Sequence, residues 1–177
     1  MRTESGRATR RLAVSAMLAA LGVVLLWLGA LVEVLDLSMA AIASMLAVFA
    51  VIEMSRRYAI LVYAVTALLS LLLLPVKTPA LIYAAFAGYY PVLKAILEGK
   101  LPRGAAWCLK VLIFCAGVAV ALFVGGKVLL VDLSWLWANW WYLLLTVPVF
   151  LLYDVALTRL ISAYIQKWRA RLRLPKL

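Results

Sequence analysis

Six runs of mostly apolar residues, joined by short polar or proline-containing links, leave this chain few ways to fold. They cover residues 12–32, 37–54, 58–74, 79–97, 107–131 and 141–165. At 1.5 Å per residue, runs of this size approach or exceed the roughly 30 Å of hydrocarbon that a membrane helix must cross. A water-soluble domain is about half apolar and a quarter charged. Here 68% of the residues are apolar and 14% charged, and 177 residues cannot hide that much apolar surface from water. The sequence therefore predicts an all-α membrane protein with six transmembrane helices in a single integral domain, followed by a basic tail at residues 166–177. Short links predict antiparallel neighbours. The first run exceeds the apolar core of a secretory leader and five more follow it, so it reads as a span.

The charge distribution gives the expected orientation. Eighteen Lys and Arg face seven Asp and Glu, a net charge of +11 that in a soluble protein would suggest nucleic acid. Threading six spans from an inside N-terminus places sixteen of the eighteen basic residues on the inner side, from Arg2, Arg7, Arg10 and Arg11 to the tail. Only Lys77 and Lys127 fall outside, beside Glu33, Asp36 and Asp132. That asymmetry is the positive-inside signal. It predicts both termini inside, contact with membrane lipid, and no nucleic-acid partner.

The chain has no histidine, which removes imidazole-based triads, proton relays and metal sites. Phosphate-cradling glycine loops, zinc spacings and nucleophile elbows are absent too. No enzymatic activity, metal or cofactor is expected, and active transport would need an energising partner. Cys108 and Cys115 lie seven residues apart, roughly 10 Å along a helix axis, too far for a disulfide. They are expected to be small buried apolar residues.

The first run carries two seams of small residues. At 100° per residue, Ala13, Ala16, Ala20, Val24 and Trp27 fall on one face, and Ser15, Gly22 and Gly29 on nearly the opposite one. Small residues let membrane helices approach closely, so two seams predict two neighbours. Both lie within the chain's own bundle, or one serves a partner.

The basic N-terminus followed by Leu12-Ala13-Val14-Ser15-Ala16-Met17-Leu18-Ala19-Ala20-Leu21 resembles the start of the substrate-binding S components of energy-coupling factor transporters. Size, span number and orientation resemble that family along the whole chain. The resemblance implies an S-component-like bundle in a bacterial cytoplasmic membrane. It implies capture of a vitamin-like small molecule from outside and delivery with ATPase-coupled partners. It also implies that Ala13, Ala16 and Ala20 dock the transmembrane T component. The MreD-type rod-shape proteins are a second small membrane family of similar architecture; likeness to them implies a non-transport scaffold acting through protein partners.

Candidate substrate residues cluster at the outer ends of the spans. Lys77, held between Pro75 and Pro79, is a lone outside lysine that the charge rule does not explain. Lys127 and Asp132 flank the end of the fifth span, and Asn139 and Trp140 follow across a short link. Trp135, Trp137, Trp140 and Trp141 form either an interfacial belt or a lid over a cavity. Tyr83 and Tyr90 share a face of the fourth span, within reach of a flat ligand or packed in the core. Asp154 is the clearest ionisable residue inside a span and is expected to pair with another helix, Lys110 being one choice. Glu53, Arg56, Arg57, Lys94 and Glu98 read as charges at the membrane boundary, with Lys94 and Glu98 spaced to pair.

Overall fold

A computed structural model of the chain describes residues 2–128, Ser134, Asn139 and residues 141–168, and every regular element among them is helical. Contacts divide the chain into two compact units, Met1–Val131 and Asp132–Lys176.

The first unit opens with α1 (Arg2–Leu31), a 3-10 turn (Glu33–Leu35), α2 (Asp36–Glu53) and α3 (Arg56–Leu73). The fourth span is built from α4 (Thr78–Ile82), a π turn (Tyr83–Ala87) and α5 (Tyr90–Lys100). Then come α6 (Arg103–Phe123) and a second π turn (Val124–Val128). Prolines set several boundaries. Leu74 and Leu101 are extended, as residues before Pro75 and Pro102 must tend to be, and α3 and α5 stop there. Pro79 sits in the first turn of α4, where its missing N–H costs nothing.

The second unit contains α7 (Trp141–Ala163), which runs through Pro148 and ends in a π turn (Tyr164–Trp168). The Thr146 hydroxyl donates to the Leu143 carbonyl at 2.6 Å just ahead of the proline. Prolines persist in membrane helices where local side chains help satisfy the backbone.

Six described stretches are long and apolar enough to cross a membrane: Ala8–Leu31, Asp36–Glu53, Arg56–Leu73, Thr78–Lys100, Gly104–Lys127 and Leu143–Gln166. The chain is thus an all-helical, multi-pass membrane protein, with spans close to those the apolar runs predict.

Packing in the first unit is inside-out relative to a soluble bundle. Ala40, Ala43, Ser44, Ala47 and Ala50 of α2 are fully buried, as are Ser15 of α1 and Ala59, Thr66 and Ser70 of α3. Large apolar side chains such as Leu68, Leu72, Leu73 and Leu112 lie on the outside. In lipid, exposing leucine carries no penalty, and close backbone approach over small residues supplies the packing. α1 packs on both α2 and α3, and α2 packs on all parts of the fourth span.

Candidate functional site

The two faces of α1 have different fates. Ser15, Gly22 and Gly29 are buried, and the first unit is closed over them. A Cβ at Gly22 would stand 2.9 Å from Thr66 Cγ2, and one at Gly29 would stand 3.1 Å from Met39 Cβ, so each glycine permits a close helix approach. Ser15 donates to the Arg11 carbonyl at 2.8 Å and reaches Met54 Sδ at 3.7 Å, which fixes α1 beside the α2–α3 link. Ala13, Ala16 and Ala20 are exposed, as are Met17, Val24 and Trp27 around them. Of the two seams, the glycine–serine one is used within the chain and the alanine one is open.

The fourth span holds an aromatic centre. Pro91 cannot donate a backbone hydrogen bond, and the helix before it relaxes into the π turn, where Gly88 N–H reaches back to the Tyr83 carbonyl at 2.8 Å. Two neighbouring helices support the widened turn. From α3, the Tyr63 hydroxyl donates to the Ala84 carbonyl at 2.7 Å. From α6, Gly117 comes so close that a Cβ there would stand 2.6 Å from the Ala85 carbonyl oxygen. Gly88 is equally confined, since a Cβ would collide with the Tyr63 and Tyr83 rings. Around it the Phe86 ring packs tilted against Tyr90 at 4.8 Å and edge-on to Phe114 of α6 at 4.9 Å. Tyr83 and Tyr90 are both fully buried. Thr66 of α3, also fully buried, donates to the Ala19 carbonyl of α1 at 3.3 Å. The segment Gly88-Tyr89-Tyr90-Pro91 is the packing centre of this span.

One turn further along α5 sits an ion cluster. Lys94 and Lys110 each expose 2% of their side chains, and both donate to Glu98 Oε1, at 2.9 and 2.6 Å. Glu98 is 45% exposed, so it presents one carboxylate to two buried ammonium groups and to the surroundings. The Lys94–Glu98 pair follows the predicted i, i+4 spacing. Lys94 is not the boundary charge expected, however: helix packing encloses it. The bond from Lys110 was not foreseen, although a lysine within an apolar run was its signal. It ties α6 to α5 across the Leu101–Pro102 link.

The predicted substrate residues that the structure describes have different surroundings. The Lys77 ammonium donates to the Leu74 carbonyl at 2.5 Å, closing the end of α3 with a cation where the helix dipole favours one. Tyr83 is inside the bundle, and Lys127 is exposed on the second π turn. Asn139 is half-buried in a turn of the second unit; Asp132 and Trp140 lie outside the described residues, as do Trp135 and Trp137. Asp154 is buried on α7, where its backbone carbonyl accepts the Thr158 hydroxyl at 2.8 Å. The two cysteines differ from expectation: Cys108 and Cys115 are both free and exposed on α6. Their small apolar side chains need no protein cover when the solvent is lipid. No group of His, Cys, Asp and Glu suited to a metal ion occurs among the described residues.

No protein-family model matches this sequence, and neither a curated protein nor a solved structure is significantly similar to it.

Proposed function

We propose that the chain is the substrate-capture subunit of an importer of the energy-coupling factor type, seated in a bacterial cytoplasmic membrane with both termini inside. The observation that carries this reading is the division of labour on α1. Its Ser15–Gly22–Gly29 face is consumed by internal packing, while Ala13, Ala16 and Ala20 stay exposed at the spacing a second helix needs for close approach. In this reading the alanine face docks a transmembrane T component, and ATPases joined to it supply the energy. A vitamin-like molecule is taken up from the outer side of the membrane, and Lys77 and Lys127, each at the end of a span, are the polar candidates within the first unit.

The test is purification of the full chain from its native membrane. The expected result is a small molecule retained through purification, with a T component and ATPases copurifying. Their joint absence under conditions that preserve the fold overturns the reading.

A second reading, an MreD-like scaffold, draws on a different observation. Leu26, Ala43, Leu74, Ala80 and Tyr83 form one buried cluster that fills the end of the first unit nearest Lys77. A scaffold needs protein partners and no cavity at that end. Recovery of morphogenesis proteins in place of a T component favours it.

A further inference from the structure

The opposite end of the first unit carries four arginines: Arg10 and Arg11 on α1, and Arg56 and Arg57 at the start of α3. The two pairs lie at one level, because Ser15 reaches Met54 in the α2–α3 link and the Arg11 guanidinium lies 6.0 Å from the Tyr58 ring centroid. Among the described residues, no carboxylate pairs with any of the four. Arg56 donates to the Ala95 carbonyl of α5 at 3.5 Å, while Arg10 and Arg57 are exposed. Arg11 Nε is buried and makes no hydrogen bond. A guanidinium donor enclosed without an acceptor is costly, and an anion within its reach relieves that cost.

The start of α3 adds to the imbalance. Ser55 occupies the cap position but makes no side-chain bond to the first turn, and no acidic residue lies there. The first backbone bond runs from Ala59 N–H to the Ser55 carbonyl, so among the described residues the N–H groups of Arg56, Arg57 and Tyr58 find no backbone acceptor. Two arginines at the positive end of a helix dipole repel it unless an anion is present. All six basic residues of the N-terminal segment and the α2–α3 link are arginine, none lysine. A bias in topology requires only positive charge of either kind. The planar guanidinium fork is what matches phosphate oxygens.

We propose that this end of the first unit binds a phosphate group, held by Arg11 and Arg57 and by the opening N–H groups of α3, with Arg10 and Arg56 supplying further positive charge. The carrier that fits is an anionic phospholipid headgroup. Arg11 lies only three residues inside the stretch beginning at Ala8, and Arg56 is the first residue of its own, which puts the site at headgroup depth. Free phosphate has the same chemistry, and the experiment separates the two. The site stands whether or not the chain serves an importer.

The full chain in neutral detergent is examined by native mass spectrometry and thermal unfolding with phosphatidylglycerol, phosphatidylcholine or inorganic phosphate. One phosphatidylglycerol is expected to be retained and to raise the unfolding temperature, with phosphatidylcholine doing neither. Arg11→Gln and Arg57→Gln should each weaken retention about tenfold. Arg11→Lys keeps the charge and should still weaken it several-fold, whereas Arg159→Gln on α7 should change nothing. Inorganic phosphate that displaces the lipid with the same Arg11 dependence supports the phosphate site and assigns it to the free anion. Retention equal in Arg11→Gln and Arg159→Gln overturns the proposal, as does polyglutamate competing as well as phosphatidylglycerol, because both reduce the arginines to a general basic surface. Unfolding in lipid-free detergent checks that each variant is folded; Arg57, being exposed, carries the test if Arg11→Gln fails to fold.

Discussion

Replacing Glu98 with glutamine tests whether the ion cluster holds α5 to α6. The single Oε1 accepts from Lys94 at 2.9 Å and from Lys110 at 2.6 Å, and both lysines are 2% exposed. Removing one partner of a buried ion pair costs about 3–5 kcal/mol, because the remaining charge has lost its compensation. Three features reduce that figure here. Glu98 is 45% exposed, so part of its interaction is screened. Glutamine keeps one carbonyl acceptor for one of the two ammonium groups. Lys94 and Lys110 also retain other interactions. The expected loss is therefore about 2–3 kcal/mol, at or just below the lower limit of that range. Lys94→Met in the Glu98→Gln background should couple by at least about 1 kcal/mol, since fewer buried charges then lose their carboxylate. Reversible unfolding of the full chain in mixed micelles, followed by helical circular dichroism, reads both quantities. A Glu98→Gln variant within about 0.5 kcal/mol of the parent, or strict additivity with Lys94→Met, refutes the reasoning.

Other outcomes follow from the same geometry. Gly88→Ala should cost at least about 2 kcal/mol, because its Cβ meets Tyr83 Cε1 at 2.7 Å within a full core; unchanged unfolding contradicts that. Gly104→Ala, with nothing within 4 Å of the added carbon, should instead leave stability unchanged or raise it by up to about 1 kcal/mol in the same assay. Tyr63→Phe removes the donor to the Ala84 carbonyl in the π turn and should cost about 1 kcal/mol, with faster amide exchange confined to residues 83–90. Ala16→Trp should leave the unfolding transition in place while abolishing copurification of a T component; retained copurification would remove the alanine face from the docking role.

The span pattern was legible because the chain writes it in long apolar runs punctuated by Pro75, Pro102 and the Gly125–Gly126 pair. Helical periodicity also separated the two seams of α1, although which seam would stay open depends on where α2 and α3 lie. The break in the fourth span was harder to locate. Pro91 announces a disturbance, yet the helix relaxes upstream, at Tyr83–Ala87, where Tyr63 and Gly117 can support a wider turn. Those supports come from other helices, so no local pattern reveals them. The Lys110–Glu98 bond spans twelve residues and a change of helix, beyond the reach of i, i+4 reasoning. The cysteines were misplaced because the habit of burying small apolar residues comes from proteins surrounded by water. Of the expected substrate residues, Tyr83 and Lys77 were legible as notable, but the enclosure of Tyr83 and the Leu74 carbonyl that Lys77 meets are facts of packing.

The small-residue interior of the first unit also bears on how this sequence can drift. Ala43, Ser44, Ala47 and Ala50 of α2 are fully enclosed by the bundle, while Leu68, Leu72 and Leu73 face outward. Along α2, exchanges between alanine and serine should be tolerated, although they alter polarity. Exchanges of alanine for leucine should be lethal to the fold, although they raise hydropathy. Volume, more than water-hatred, is the property under selection inside this bundle; a substitution ranking built for soluble cores would order its interior positions almost backwards.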